Sequence, residues 1–186
     1  GLIASRHLLQ KQHNVTIYFC SSESKSNNKA EDLVRNGARV IEIGSDSSLE
    51  KLNSSLRKAD IVIDAILGTG ASRPIDGTLL NIIEKVSLEK ERRPNLFTAA
   101  IDIPTGLHPN SGSINSLCPV FDITIALGYP KIGLFSLAGA SKAGRIEIVD
   151  IGIPYGADSA DKTNLMTSNW IKKTIPARSN SSHKGT

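Results

Sequence analysis

Along the chain, short apolar runs alternate with segments in which apolar residues recur every three or four positions. Residues 15–20, 39–43, 60–67, 96–103, 121–127 and 145–151 read as strands. Several are unbroken stretches rich in Ile and Val, the pattern of strands covered on both faces. Helical spacing fits residues 2–12, where Leu2, Ile3, Leu8 and Leu9 are apolar and Arg6, Lys11 and Gln12 polar. Residues 29–36 form a second expected helix, closed by Gly37 as a C-cap residue. Residues 48–58 form a third, with Ser48 to cap its first turn. Residues 77–90 form a fourth, with Leu79, Leu80, Ile82, Ile83 and Val86 on one broad face. Strands and helices thus alternate, which predicts an α/β, three-layer Rossmann-like domain with a mainly parallel central sheet. The last two strands follow loops rather than long helices, so mixed pairing has room there.

Composition narrows the function classes. A chain of 186 residues has the length of about one domain. With 39% hydrophobic and 22% charged residues it is neither disordered nor a disulfide scaffold. No apolar run approaches 18 residues, so the sequence offers no membrane-spanning helix. The two cysteines, Cys20 and Cys118, lack partners at metal or redox spacing, which excludes a zinc ribbon and a CxxC pair. The net charge of +4 comes from the last sixteen residues, where Lys172, Lys173, Arg178 and Lys184 meet no acid. The remainder is neutral, so the excess is a basic tail and gives no support to nucleic-acid binding.

In open parallel sheets, ligands bind beyond the carboxyl ends of the strands. Three successive strand ends carry Gly, small hydroxyl residues and a charge. The first reads Asp64-Ala65-Ile66-Leu67-Gly68-Thr69-Gly70-Ala71-Ser72-Arg73-Pro74. The second reads Asp102-Ile103-Pro104-Thr105-Gly106-Leu107, and the third Gly128-Tyr129-Pro130-Lys131-Ile132-Gly133. Asp64 and Asp102 are embedded among Ile and Val. A carboxylate in that setting is costly unless it is paired, hydrogen-bonded or bound to a cation. One such residue reads equally as a carboxylate capping loop amides; two on adjoining runs favour a shared polar site. Gly68, Thr69 and Gly70 lack the third glycine of a dinucleotide fingerprint and the Lys-Ser/Thr of a P-loop, and alone suit a tight turn. With Ser72 and Arg73 added, the loop offers N–H groups, hydroxyls and a guanidinium, a set that suits a phosphate or pyrophosphate. His7, His13, His108 and His183 form no HxH or HxxxH pair, and His108 reads as an exposed loop residue. No GxSxG elbow is present, so a serine hydrolase has no nucleophile.

These residues resemble the NAD(P)H-hydrate epimerase family, the N-terminal domain of YjeF type. The resemblance runs through the stretch from Asp60 to Gly70, Ser72-Arg73-Pro74, the stretch from Ala100 to Leu107, Pro130-Lys131-Ile132-Gly133-Leu134 and Val149-Asp150-Ile151-Gly152-Ile153-Pro154. It implies interconversion of the R and S forms of NAD(P)H-hydrate in nicotinamide nucleotide repair. By the same resemblance, Asp64 and Thr105 hold a potassium ion, and Gly68, Thr69, Gly70, Ala71, Ser72, Arg73 and Pro74 hold the damaged cofactor. Asp102 contacts that cofactor and handles the proton. Thr105 stands where the family usually has Ser, a mild change because both offer a hydroxyl and a carbonyl oxygen. The family's asparagine- and glycine-rich loop, with an Asn potassium ligand, would precede Gly1.

Ser182-His183-Lys184-Gly185-Thr186 resembles the opening of the ADP- or ATP-dependent NAD(P)H-hydrate dehydratase domain. The expectation is therefore a fragment of a bifunctional repair protein. Residues 1–156 would be the epimerase domain without its N-terminal part, and residues 157–186 a linker and the first residues of the dehydratase. ADP or ATP would serve only that second domain, to which the S form would pass. A cytoplasmic, homo-oligomeric protein acting on a small-molecule dinucleotide, with no nucleic-acid or membrane partner, completes the expectation. The alternative is a non-catalytic nucleotide- or protein-binding module of the same fold. An ordinary Rossmann oxidoreductase fits poorly, because GxGxxG is missing and no ribose-binding acid follows the first strand.

Overall fold

The computed structural model describes residues 1–20, 28–70, 75–115, 117–154 and 165–175, which fall into two compact units, Gly1–Gly152 and Ile153–Thr186. In the first unit the order is α1 (Leu2–Gln10), β1 (Thr16–Phe19), α2 (Asn28–Arg35), β2 (Arg39–Glu42), α3 (Glu50–Lys58), β3 (Ile61–Asp64) and α4 (Gly77–Arg92). It continues with β4 (Phe97–Ile101), β5 (Ile123–Leu127), α5 (Leu137–Ala143) and β6 (Arg145–Val149). Short 3-10 turns occupy Ile43–Ser45 and Ile132–Phe135.

All pairings among the named strands are parallel, in a two-stranded sheet β1-β2 and a four-stranded sheet β3-β4-β5-β6. The room left for mixed pairing is not used. The cause is α5, which the sequence reading lacks. It carries the chain from the end of β5 back to the start of β6, the crossover a parallel pair needs. Its residues are mostly small, so it has almost no apolar period. Ser136 caps it, accepting from the Gly139 N–H at 2.9 Å. Gly139 permits the packing: a Cβ there would lie 1.9 Å from the Gly133 carbonyl oxygen.

The third helix corrects a second expectation. Ser48 does not cap it. Asp46 does, its two carboxylate oxygens accepting from the N–H groups of Lys51 and Leu52, each at 2.9 Å. Leu49, at φ +58, turns the chain between them. Tyr18 adds a hydroxyl donor to Asp46 at 3.2 Å. Burial pushes the Asp46 carboxyl up, but the two N–H groups, the Tyr18 hydroxyl and the Lys51 charge hold it below the usual range.

One apolar cluster joins Leu49, Leu52 and Leu56 to Ile82 and Val86, with Tyr18, Cys20, Ile43, Val62 and Ile66 packed against it. Residues of β1 and β3 therefore rest on the same two helices. A second cluster of Ile103, Leu107, Ala126, Leu134 and Ala143 lies under the far strands, with Ile146 beside it. Full burial of one such leucine is worth about 1.5–3 kcal/mol.

The two edges of the four-stranded sheet differ. At the amino edge, Lys90 reaches from α4 to both oxygens of Asp122 at 3.0 and 2.8 Å and to the carbonyls of Pro94 and Leu96. At the carboxyl edge, Asp64 is in register with Ala100, and Asp102 follows two residues later on the neighbouring strand. The run expected over 60–67 stops as a strand at Asp64, because the Ile66 N–H turns back onto the Asp64 carboxylate at 3.1 Å.

Within the second unit, α6 (Ser168–Thr174) starts at Thr167, whose hydroxyl accepts from the Trp170 N–H at 3.1 Å. Among the described residues, no helix is long and apolar enough to cross a membrane.

Candidate active site at the carboxyl edge

Asp64 ends β3 with only 7% of its surface exposed. One oxygen accepts from the Ile66 N–H at 3.1 Å and from the Thr105 hydroxyl at 2.7 Å; the other accepts from the Thr105 N–H at 2.7 Å. Thr105 Oγ1 in turn accepts from the Leu67 N–H at 3.2 Å. The loops after β3 and β4 are thus tied through one carboxylate and one threonine. Burial pushes the Asp64 carboxyl up, against the pull of its three donors. Among the described residues Asp64 has no cationic partner. Both readings of a buried strand-end aspartate therefore apply to it: it caps loop amides, and it is an unneutralised carboxylate beside further oxygens.

Gly106 fixes the position of Thr105. Its φ is +102, and a Cβ there would meet the Cys118 Cβ at 3.0 Å. Cys20 and Cys118 sense the charge of Asp64. Burial, with that charge added, pushes both thiols up to about 11, at Cys118 against the pull of the Lys142 charge.

Asp102 stands just past β4 with φ +72, a left-handed conformation that few side chains other than Asp and Asn accept. Its N–H donates to the Ile125 carbonyl at 2.7 Å, which secures the turn. Its side chain points toward the next strand end. Oδ1 accepts from the Leu127 N–H at 3.2 Å and from Lys131 Nζ. Lys131 also donates to the Leu127 carbonyl at 3.2 Å. The side chains of Asp102 and Lys131 are 17% and 19% exposed. Asp64 and Asp102 therefore share one sheet edge, on strands ~4.8 Å apart, but bond to different loops.

Gly68, Thr69 and Gly70 are exposed, and a Cβ on either glycine would meet nothing within 4 Å. Neither glycine has a positive φ. The described residues do not require glycine there, and the absence of side chains leaves the main-chain N–H groups open to approach. Ala71, Ser72, Arg73 and Pro74 lie outside the described residues. His108 is exposed, and its Nδ1 accepts from the N–H groups of Asn110 and Ser111 at 3.3 and 3.1 Å, so it is a turn acceptor. Among the described residues, no group of three or more His, Cys, Asp or Glu gathers as a metal centre.

The residue that sequence reasoning passed over is Lys131. The signal was a Pro-Lys pair three residues beyond a strand-end glycine, at the same edge as both aspartates. Its weight becomes visible only when the pairing of β4 with β5 sets that loop beside Asp102.

Two aspartates and a glycine-bearing turn thus stand at the carboxyl edge of parallel strands in an α/β domain, the edge at which such folds bind ligands. The family described as "YjeF-related protein N-terminus" matches residues 1–133, and the chain belongs to it. The bifunctional NAD(P)H-hydrate repair enzyme Nnr of Moorella thermoacetica is 31% identical over 194 residues, covering 100% of this chain and 35% of the relative. An NAD(P)H-hydrate epimerase of Weissella koreensis is 29% identical over 155 residues, covering 82% of this chain and 65% of the relative. The chain thus spans about a third of the bifunctional relative and less than two thirds of the epimerase. A crystal structure of yeast ynu0, YNL200c, superposes with a TM-score of 0.62 at 20% identity, covering 82% of this chain and 61% of the other, a likeness of fold.

Proposed function

We propose that this chain carries the epimerase step of nicotinamide nucleotide repair, the interconversion of the R and S forms of NADH-hydrate and NADPH-hydrate. One observation carries the reading. At the carboxyl edge, Asp102 is anchored through Oδ1, while Oδ2 accepts no hydrogen bond among the described residues. Family membership and the names of the relatives point the same way.

The chemistry asks for little more. In the hydrate, the hydroxylated carbon is bonded to the ring nitrogen, so it is a hemiaminal. Inversion breaks its C–O or C–N bond and re-forms that bond on the other face. Either route moves a proton that a carboxylate accepts and returns, and Asp102 is the group for this. Gly68, Thr69 and Gly70, with the Ala71, Ser72, Arg73 and Pro74 that follow, hold the phosphates away from the ring. Thr105 and Asp64 fix the loop on which Asp102 begins.

Asp64 and Thr105 also fit a potassium ion by their donor chemistry. They supply a buried carboxylate without a cationic partner among the described residues, a hydroxyl and a main-chain carbonyl, all hard oxygen donors. A bound ion there would offset the Asp64 charge. The same reading makes residues 1–156 the epimerase domain and residues 157–186 a linker and the start of a dehydratase that uses ADP or ATP and takes the S form. It places the protein in the cytoplasm as a homo-oligomer.

The test is Asp102→Asn in the full-length protein, following the R to S ratio by chromatography. Interconversion should fall at least about 100-fold, with binding of the dinucleotide retained. An unchanged rate with binding retained would take the proton-handling role from Asp102, whereas a wild type that binds the dinucleotide without interconverting its epimers would make the domain a nucleotide-binding module.

A further inference from the structure

Lys131 has no part in the reading above, yet it is the direct partner of the group that reading depends on. Its ammonium donates to Asp102 Oδ1 and to the Leu127 carbonyl, while the Leu127 N–H donates to the same Oδ1. One residue of the main chain thus bonds both members of the ion pair. Both donors fall on a single carboxylate oxygen. Among the described residues, no buried side-chain oxygen or nitrogen lacks a partner. Oδ2 accepts none from the described residues, and the Asp102 side chain is 17% exposed.

The same fold contains a comparison. Lys90 and Asp122 form the other half-buried lysine–aspartate pair, at the amino edge. There the ammonium bonds both carboxylate oxygens, and Oδ2 also accepts from the Thr98 N–H at 2.7 Å and the Thr98 hydroxyl at 2.9 Å. Both oxygens of that carboxylate are thus bonded, and the pair ties α4 to β4 and to the start of β5. The pair at the carboxyl edge places two donors on one oxygen and, among the described residues, none on the other.

The lysine is also held from behind. It precedes the 3-10 turn Ile132–Phe135, and Gly133 packs against the loop after Thr105 so closely that a Cβ would lie 2.3 Å from the His108 carbonyl oxygen. Its root is thus fixed on one side by that loop and on the other by β5. Left-handed φ at Asp102 and a fixed lysine together define where the carboxylate stands.

We propose that Lys131 is the positioning residue for Asp102: it pins Oδ1 and balances the carboxylate charge, so that Oδ2 alone faces the substrate and exchanges the proton. The inference rests on Asp102 as the proton-handling group, as argued above. The experiment uses the full-length protein and both hydrate epimers. Lys131→Met should lower kcat about 100-fold and move KM less than about threefold. Lys131→Arg should regain all but about tenfold of the rate. In Lys131→Ala, added ethylammonium should restore kcat in proportion to its concentration, an effect a purely structural lysine would not show. If Lys131→Met does not fold, Lys131→Gln is measured in its place against the same outcomes. An active wild type whose variant keeps its kcat, loses only KM, or ignores the amine overturns the role of Lys131 alone. A wild type that does not interconvert the epimers overturns the functional reading and this inference together.

Discussion

Two aspartates stand at the ends of neighbouring strands in this molecule, and their surroundings are opposite. Asp64 is buried, accepts three hydrogen bonds, and stitches two loops together. Asp102 is partly exposed, spends one oxygen on Leu127 and Lys131, and leaves the other unbonded among the described residues. A carboxylate with all its near donors engaged sets positions. A carboxylate anchored by one oxygen has the other free for chemistry. The local sequence is alike at both, an Asp inside an apolar run followed by a glycine-bearing loop, so the division of labour comes from tertiary partners alone.

Exchanging each residue separates the two roles. The largest effect belongs to Asp102→Asn: catalysis falls at least about 100-fold, while the urea unfolding midpoint moves less, because the Asn amide oxygen can still accept from Leu127 and Lys131. Asp64→Ala should do the reverse first. It strands the N–H groups of Thr105 and Ile66 and the Thr105 hydroxyl, and each buried orphan costs about 1–3 kcal/mol. Urea denaturation should show a loss of several kcal/mol. If Asp64→Ala unfolds at the wild-type midpoint, the contrast drawn here is wrong.

A smaller effect tests the loop without touching either carboxylate. Gly106→Ala places a methyl against Cys118 in a left-handed conformation, and should cost about 1–3 kcal/mol. Because Thr105 shifts with it, the Asp64 knot should loosen. The smallest effect serves as a calibration with a third carboxylate. Asp46→Ala removes the cap of α3 and should cost about 1–2 kcal/mol at neutral pH. The folded-state value of the Asp46 carboxyl lies below its unfolded one. Its contribution is therefore present above the ordinary aspartate value near 4. It disappears as pH falls through the folded value. Wild type and variant should converge in acid.

Much of the architecture was legible in the chain. All six strands lie where the apolar runs mark them; β4 and β5 are largely covered, as unbroken runs suggest, whereas β3 and β6 are more exposed. Gly37 ends the second helix as expected, at φ +95. What escaped had physical reasons. The fifth helix is built from small residues packed close, so it has no hydrophobic stripe. The cap of α3 comes from Asp46 rather than from Ser48, since Leu49 turns the intervening chain. At the edge, Asp64 and Asp102 were marked by polarity out of place, and Thr105 by the family resemblance. Lys131 was not, because a lysine in a loop is ordinary until the strand order brings a carboxylate to it.

The left-handed backbone at Asp102 limits how this domain can be re-engineered. Glycine, asparagine and aspartate tolerate φ +72, whereas glutamate would add backbone strain to its extra methylene. The reach of the carboxylate therefore cannot be lengthened by one point exchange. A designer seeking a bulkier substrate would have to recut the loop between Asp102 and Gly106 as a whole.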